Sequence, residues 1–277
     1  AVKAGAVRAR KTFCFLRDPD AIVVIADNIA GRGPTRTVVH TMPAPVTDFT
    51  IATHYGIRRL TDGESISLPG PGWIHARGNG YVFPEPCQIS ISLETRPPNY
   101  DDASWVEPAE RAAGKPCRFL SIAIEHQSDP YPQHTAGIWV SLPGILRSQL
   151  ADLAAAIMAE MTITRNPTGH LCQWRGFSAA VFFAPGKLGG IQAAGPRIVA
   201  WRETGSDIQL AAMDPTWAKA GFSIGLPWPN RSAIPRRERE ARIAGHRLYC
   251  TGNPGWPVEV TIVPVPDETS PRLPFLR

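Results

Sequence analysis

The chain has 277 residues, a formal net charge of +5, 28 prolines and 24 glycines. A chain of this length can bury a substantial core, either as one large all-β unit or as two domains, and no apolar run approaches the ~20 residues that a membrane helix requires. The small excess of positive charge suits nucleic acid and polyuronate alike, and it does not choose between them.

The N-terminal half reads as a series of short strands. The first residues, AVKAGAVRARK, lack the apolar segment of a signal peptide, and they lead abruptly into a strand pattern, so we expect a piece of a longer protein. Period-two apolar patterns and flanking turn residues predict strands over 12–16, 21–26, 36–40, 51–57, 65–68 and 89–94. A hairpin is predicted from Trp73 to Phe83, with its turn at 77–79.

A long polar segment, 95–116, follows these strands and contains four prolines. Connections of this length within compact domains are often functional. This one carries two aromatic and three cationic side chains, Lys115 among them, that suit a polyanionic sugar, because an aromatic face packs on a pyranose ring and a cation binds its carboxylate. The predicted substrate-binding residues are Arg96, Tyr100, Trp105 and Arg111. A solvated connection without function is the alternative.

Residues 119–126 and 136–142 predict two strands, joined by a polar connection with two prolines. The pattern indicates an antiparallel pair. After Gly144, apolar residues recur at steps of three and four over 147–161, which predicts an amphipathic helix. We therefore predict a domain over 1–146, a linking helix over 147–161 and a second domain over 162–277.

The C-terminal segment again predicts strands: 162–164, 170–174, 179–183, 188–193, 198–203, 208–213, 222–226, 249–251 and 258–265. Asp214 precedes Pro215, which indicates a turn rather than a catalytic carboxylate. The charged run 236–247 alternates arginine with glutamate, so its charge partly cancels, and a solvated helix or loop is predicted there.

Common site motifs are missing from the sequence. The five cysteines include no C-x-x-C pair, and their number is odd, which argues against both a zinc site and a disulfide framework. His75 is interpreted as structural, because no partner for catalysis lies near it in sequence. We predict no metal and no cofactor.

Four segments together resemble one enzyme family, the family-eight polysaccharide lyases, which degrade hyaluronate, chondroitin and xanthan. The similar residues are Ala9–Phe13 with Phe15, Trp73–His75 with Gly78–Pro84, Glu125-His126 with Pro130 and Leu142–Gly144, and Val181–Phe183 with Asp214–Thr216. Cys14, Gln127, Gly137 and Trp139 depart from the family pattern. The related enzymes also place a tryptophan-containing loop near the segment that carries Trp105.

The resemblance implies an all-β fold: a large antiparallel β-supersandwich (galactose mutarotase-like), one linking helix and a smaller C-terminal β-sandwich. It implies a secreted or periplasmic carbon–oxygen lyase that cleaves uronate-containing polysaccharides by β-elimination. In that family a helical toroid supplies the catalytic residues, so we assign none here and expect this chain alone to be inactive. The implied partners are an acidic polysaccharide and that toroid, with neither nucleic acid nor a membrane.

Two alternatives stay open. The first is the β domain of a heparinase II/III-like lyase, in which case His40, His54 and His75 would be candidate metal ligands, although their spacing matches no common ligand pattern. The second is a non-catalytic carbohydrate-binding or structural sandwich.

Overall fold

In the computed structural model of the chain, the described residues are 8–17, 20–29, 35–41, 44, 46–95, 118–126, 134–216, 221–237, 240–252 and 256–265. The chain divides into two compact units, Ala1–Met161 and Thr162–Arg277. No helix in the described ranges has both the length and the apolar character needed to cross a bilayer.

The described residues of the first unit form strands and one helix. Its described elements are β1 (Arg8–Arg17), β2 (Asp20–Ile29), β3 (Thr35–His40), β4 (Asp48–Thr53), β5 (Gly56–Thr61), β6 (Ser65–Pro69), β7 (Gly72–Ala76), β8 (Asn79–Phe83), β9 (Cys87–Thr95), β10 (Arg118–His126), β11 (His134–Pro143) and α1 (Arg147–Glu160).

These strands form two antiparallel sheets that share one core. Within the described residues, one sheet has the order β1-β2-β11-β8-β7-β4-β5 and the other has the order β3-β10-β9-β6. Alternate side chains of both sheets point into the core, as the period of a strand requires, and Ile74, Phe83, Ile91 and Ile122 are almost completely buried there. The unit is therefore a sandwich.

The hairpin β7–β8 forms where the sequence predicts it. Arg77 and Gly78 both have positive φ, 50° and 74°, which is the geometry of a two-residue turn whose twist matches that of the strands. Helix α1 packs on this hairpin through the buried Leu150, which lies close to Gly80. The helix therefore belongs to the first unit.

The second unit has the same plan. Its described strands are β12 (Thr162–Asn166), β13 (Gly169–Trp174), β14 (Phe177–Phe182), β15 (Gly186–Leu188), β16 (Ile191–Ala193), β17 (Arg197–Thr204), β18 (Asp207–Met213), β19 (Phe222–Gly225), β20 (Arg231–Pro235), β21 (Ala241–Ala244), β22 (Arg247–Cys250) and β23 (Val258–Pro264). Among described residues the sheet orders are β12-β13-β14-β17-β18-β23-β20 and β15-β16-β19-β22-β21, with a shared apolar core.

The predicted fold class, an antiparallel supersandwich followed by a smaller β-sandwich, is confirmed by this architecture. The predicted pairing of the strands around 119–126 and 136–142 is wrong. β10 pairs with β3 and β9 in one sheet, and β11 pairs with β2 and β8 in the other. The connection between them passes from sheet to sheet, which an alternating pattern in either strand does not reveal.

Three local predictions are also wrong. The segment 51–57 is a hairpin, because β4 ends at Thr53 and β5 begins at Gly56, which has φ 122°. The segment 188–193 turns at Gly189-Gly190 between β15 and β16. The charged run 236–247 contains strand β21, which pairs with β22. In each case a strand is specified by its partner more than by its own sequence.

Candidate substrate-binding surface

The connection between β9 and β10 carries the predicted site. The two strands are antiparallel neighbours, and their last pair joins Thr95 to Arg118, so residues 96–117 connect the strands at this end. The four predicted substrate-binding residues, Arg96, Tyr100, Trp105 and Arg111, lie outside the described residues. The structure does describe the base from which this connection starts and to which it returns.

Asp62 holds both ends of the connection. Its carboxylate accepts a hydrogen bond from Thr95 Oγ1 at 2.9 Å through Oδ1, and one from the Arg118 guanidinium at 2.9 Å through Oδ2. Both bonds stabilise the charged carboxylate, the bond from Arg118 more than that from Thr95, and they hold the pKa of Asp62 below its usual range. We call Asp62, Thr95 and Arg118 the loop base.

Arg118 is fixed by further bonds to the same region. Its guanidinium also donates to the carbonyl oxygen of Val46 at 3.1 Å. Its backbone N–H and C=O exchange hydrogen bonds of 2.8 Å with Ala44. A second ion pair, between Arg59 and Asp48 at 2.7 Å, lies at the same end of strands β4 and β5 as Asp62. The loop base is thus a rigid frame from which a long connection can present its side chains.

Sequence reasoning found the connection but missed its frame. Asp62 stands in a Thr-Asp-Gly segment, whose residue types are typical of a turn. Arg118 lies 56 residues further on. The acid in the turn and the cation at the start of a strand were visible, but they come together only because β6 pairs with β9 and β9 pairs with β10.

The three candidate metal-binding histidines have separate structural contacts. His40 lies edge-on to the ring of Phe119 at 5.0 Å, and the ring of His54 accepts a hydrogen bond from the backbone N–H of Trp73 at 3.3 Å. His75 Nε2 bonds the carbonyl oxygen of Ile145 at 3.0 Å. No group of three His, Cys, Asp or Glu side chains suited to a metal occurs in the described ranges.

Asp214 closes a turn, as predicted. Its Oδ1 accepts hydrogen bonds from the backbone N–H of Thr216 at 2.7 Å and from the Thr216 hydroxyl, and its Oδ2 pairs with Arg197 at 3.0 Å. Both charged side chains are largely buried. These contacts account for the Asp-Pro-Thr motif by structure alone.

Comparison with known families matches residues 1–154 to the model described as polysaccharide lyase family 8, super-sandwich domain. The chain belongs to polysaccharide lyase family 8. The match covers more than half of the chain and includes β1–β11, the loop base and the connection 96–117. It therefore assigns the predicted substrate-binding segment to this family's sandwich domain.

Two hyaluronate lyases are similar in sequence to this chain, at 26% and 24% identity. A hyaluronate lyase from Thermasporomyces composti is 26% identical over 201 residues, which cover 70% of this chain and 25% of that protein. The hyaluronate lyase HylB of Cutibacterium acnes is 24% identical over 227 residues, which cover 73% of this chain and 27% of that protein. The chain thus spans about a quarter of the length of these lyases.

Solved structures of lyases show the same fold. A Paenibacillus xanthan lyase superposes with a TM-score of 0.62 at 18% identity, covering 93% of this chain and 26% of that one. The chondroitin AC lyase of Streptomyces coelicolor, solved with chondroitin sulphate, gives 0.58 at 19% identity and covers 93% and 33%. Both alignments include the second unit as well as the family 8 domain.

Proposed function

We propose that this chain is the β-domain portion of a polysaccharide lyase that cleaves uronate-containing polysaccharides by β-elimination. The observation that carries the proposal is the match of residues 1–154 to the family 8 super-sandwich domain. The curated relatives are named hyaluronate lyases, which supports an acidic substrate. We further propose that the two compact units act as separate domains.

The chemistry sets what such a protein must supply. A base removes the proton from C5 of the uronate, the C4–O4 bond breaks, a C4=C5 double bond forms, and an acid donates a proton to O4. The adjacent carboxylate must be neutralised so that the C5 proton becomes acidic enough to remove. In our proposal, a helical toroid outside this chain supplies these groups, and this chain forms one wall of the substrate cleft.

The connection 96–117 is the part of this wall that we propose contacts the polymer. Arg96 and Arg111 would pair with carboxylates of the polymer, and Tyr100 and Trp105 would pack on its rings. The loop base supports this role, because Asp62 ties both ends of the connection to the sandwich. Contacts of this kind position the substrate and perform no proton transfer.

An absorbance assay for unsaturated uronate tests the proposal. Hyaluronan, chondroitin and xanthan are offered to the 277-residue chain alone and to the longer protein with its upstream coding region restored. We expect product only from the longer protein. Unsaturated product from the 277-residue chain alone would refute the proposal that a toroid outside this chain supplies the catalytic groups. If neither protein forms product but a polysaccharide still binds, the non-catalytic sugar-binding alternative would be favoured.

Variants of the longer protein test the connection. We expect Trp105→Ala and Arg111→Gln each to raise KM by about tenfold, which corresponds to the loss of ~1.4 kcal/mol of binding, and to change kcat much less. Matched controls are Tyr55→Ala and Arg58→Gln, because both residues are exposed and lie outside the connection. Equal effects of the controls and the test variants would refute the proposed contacts.

An extracellular polymer also implies where the protein works. We propose that the protein is secreted or periplasmic, since an enzyme must reach a substrate that is too large to enter a cell. Activity of the longer protein in the medium or periplasmic fraction of its host would support this, and activity confined to the cytoplasmic fraction would contradict it.

A further inference from the structure

A groove of about 410 Å³ lies on the second unit beside the edge of its larger sheet. There β20 pairs with β23, and the backbone N–H of Arg236 continues the pairing by donating to the carbonyl oxygen of Glu259 at 2.9 Å. The groove is lined by Arg236, Arg237, Glu240, Trp256, Pro257 and Glu259. None of these residues belongs to the connection 96–117 or to the loop base.

Trp256 is the unusual member of the groove. Its relative exposure is 61%, whereas Trp174 and Trp201 in the same unit are exposed by 3% and 4%. Large aromatic side chains stabilise a protein mainly through burial, so an indole left open beside a concave surface contributes little to folding. Pro257 follows it and continues the apolar wall. Such a flat face is suited to packing against the ring of a ligand.

The polar lining carries equal numbers of opposite charges. Arg236 forms an ion pair with Glu259, and Arg237 lies 3.6 Å from Glu240. A guanidinium has five N–H donors and a carboxylate can accept about four hydrogen bonds, so each pair retains free donors and acceptors. The two charges in each pair largely cancel. The lining therefore favours a ligand with many hydroxyl groups over one that binds by charge.

We propose that this groove binds a pyranose ring of a polysaccharide chain, with Trp256 packed on the ring face and the two Arg–Glu pairs hydrogen-bonded to its hydroxyls. A ligand site of this kind is concave, with one apolar wall and a few placed polar groups. It would be a second glycan site on this chain, separate from the connection 96–117. It would hold the polymer without acting on it, whether or not the longer protein is a lyase.

Binding of the 277-residue chain to glycans tests this inference directly. Native gels containing hyaluronan, chondroitin, xanthan or an uncharged β-glucan are run at about 50 mM and about 500 mM salt, because high salt screens exposed charges and leaves ring packing. We expect at least one polymer to retard the chain at both salt concentrations. We expect Trp256→Ala to weaken that retention about tenfold at high salt, the size of one lost aromatic contact.

Two further variants make the result specific. Arg237→Gln removes one hydrogen-bonding cation from an exposed position and should weaken retention several-fold without affecting folding. Tyr55→Ala removes an exposed aromatic side chain outside both proposed sites and should keep the retention seen at high salt. Circular dichroism of each variant must match the parent.

Three results would overturn the inference: no retention by any polymer, equal retention of Trp256→Ala and the parent, or retention that disappears at high salt. These outcomes are distinct from failure of the proposed function. A lyase assay without product would not argue against glycan binding in the groove. A binding assay that refutes the groove would not argue against the elimination chemistry.

Discussion

The contact between Gly80 and helix α1 gives a quantitative prediction for the first unit. A Cβ atom added at Gly80 would lie 2.7 Å from Leu150 Cδ1, 2.9 Å from Ile145 Cγ2 and 3.2 Å from Leu150 Cδ2. Leu150 is fully buried, so it has little room to move away. We expect Gly80→Ala to lower the free energy of unfolding by about 1–3 kcal/mol, the usual cost of overpacking.

A second substitution shows whether this contact is the cause. Leu150→Ala alone should cost about 2–5 kcal/mol through the cavity it leaves. In the double variant the new methyl group occupies part of that cavity. The total cost should therefore be smaller than the sum of the two single costs by ~1 kcal/mol or more.

The assay is guanidinium unfolding followed by circular dichroism, with hydrogen exchange in β7 and β8 to assign the transition to the first unit. Gly195→Ala is the matched control, because a Cβ at Gly195 meets no atom within 4 Å, and its effect should stay within about 0.5 kcal/mol. A Gly80→Ala variant as stable as this control would refute the reasoning, and so would strict additivity with Leu150→Ala.

Three further predictions concern ionisable groups. Burial raises the pKa of the Cys250 thiol to about 12, so we expect iodoacetamide at about pH 8 to leave Cys250 unmodified in the native chain and to modify it after denaturation. Asp62→Asn should remove the ion pair with Arg118 and increase proteolysis within 96–117. Because the folded pKa of Asp62 is lowered, its contribution to stability is full above the unfolded pKa of about 3.9 and is lost as pH falls through the folded pKa. Asp214→Ala should cost ~3 kcal/mol of stability, since it leaves the largely buried Arg197 unpaired.

Each of these predictions has a defined contradiction. Mass spectrometry that finds Cys250 alkylated in the native chain would show that the thiol is accessible. For Asp62, equal proteolysis of variant and parent at neutral pH would show that the loop base does not hold the connection. The Asp62→Asn variant should also lack the loss of stability that protonation of Asp62 causes in the parent at acid pH. Glu203→Gln, at an exposed position, is the control for Asp214→Ala, and equal stability of the two would contradict the role of the ion pair.

Local pattern predicted most strands of this protein but not their neighbours. Turn chemistry placed the hairpin β7–β8 correctly, because a glycine accommodates the positive φ that its two-residue turn requires. The hairpin β4–β5 was missed because its two-residue turn, His54-Tyr55, contains none of the Gly, Asn and Asp residues that usually mark such turns. The partners of β10 were missed because an alternating pattern fixes which face is buried and not which strand lies beside it.

The candidate site also has a part that the sequence predicted and a part that only the structure shows. The composition of 96–117 indicated sugar contacts, since aromatic rings beside guanidinium groups are recognisable in the sequence. The loop base was not predictable, because Asp62 and Arg118 are distant in sequence and become neighbours only through sheet register. The exposure of Trp256 was also not predictable, since the residue type alone suggests burial.

The sequence by itself determined that the chain has an all-β fold and an amphipathic helix after Gly144, and its motifs carried the likeness to the lyases. These properties follow from local periodicity, turn residues and residue chemistry, which act over a few positions. Tertiary structure alone decided that β10 and β11 lie in different sheets, that Asp62 joins the two ends of the connection, and that Trp256 lines a groove together with two Arg–Glu pairs. These facts depend on contacts between residues far apart in the chain, and such contacts are chosen by packing and hydrogen bonding of the whole unit rather than by any segment of it.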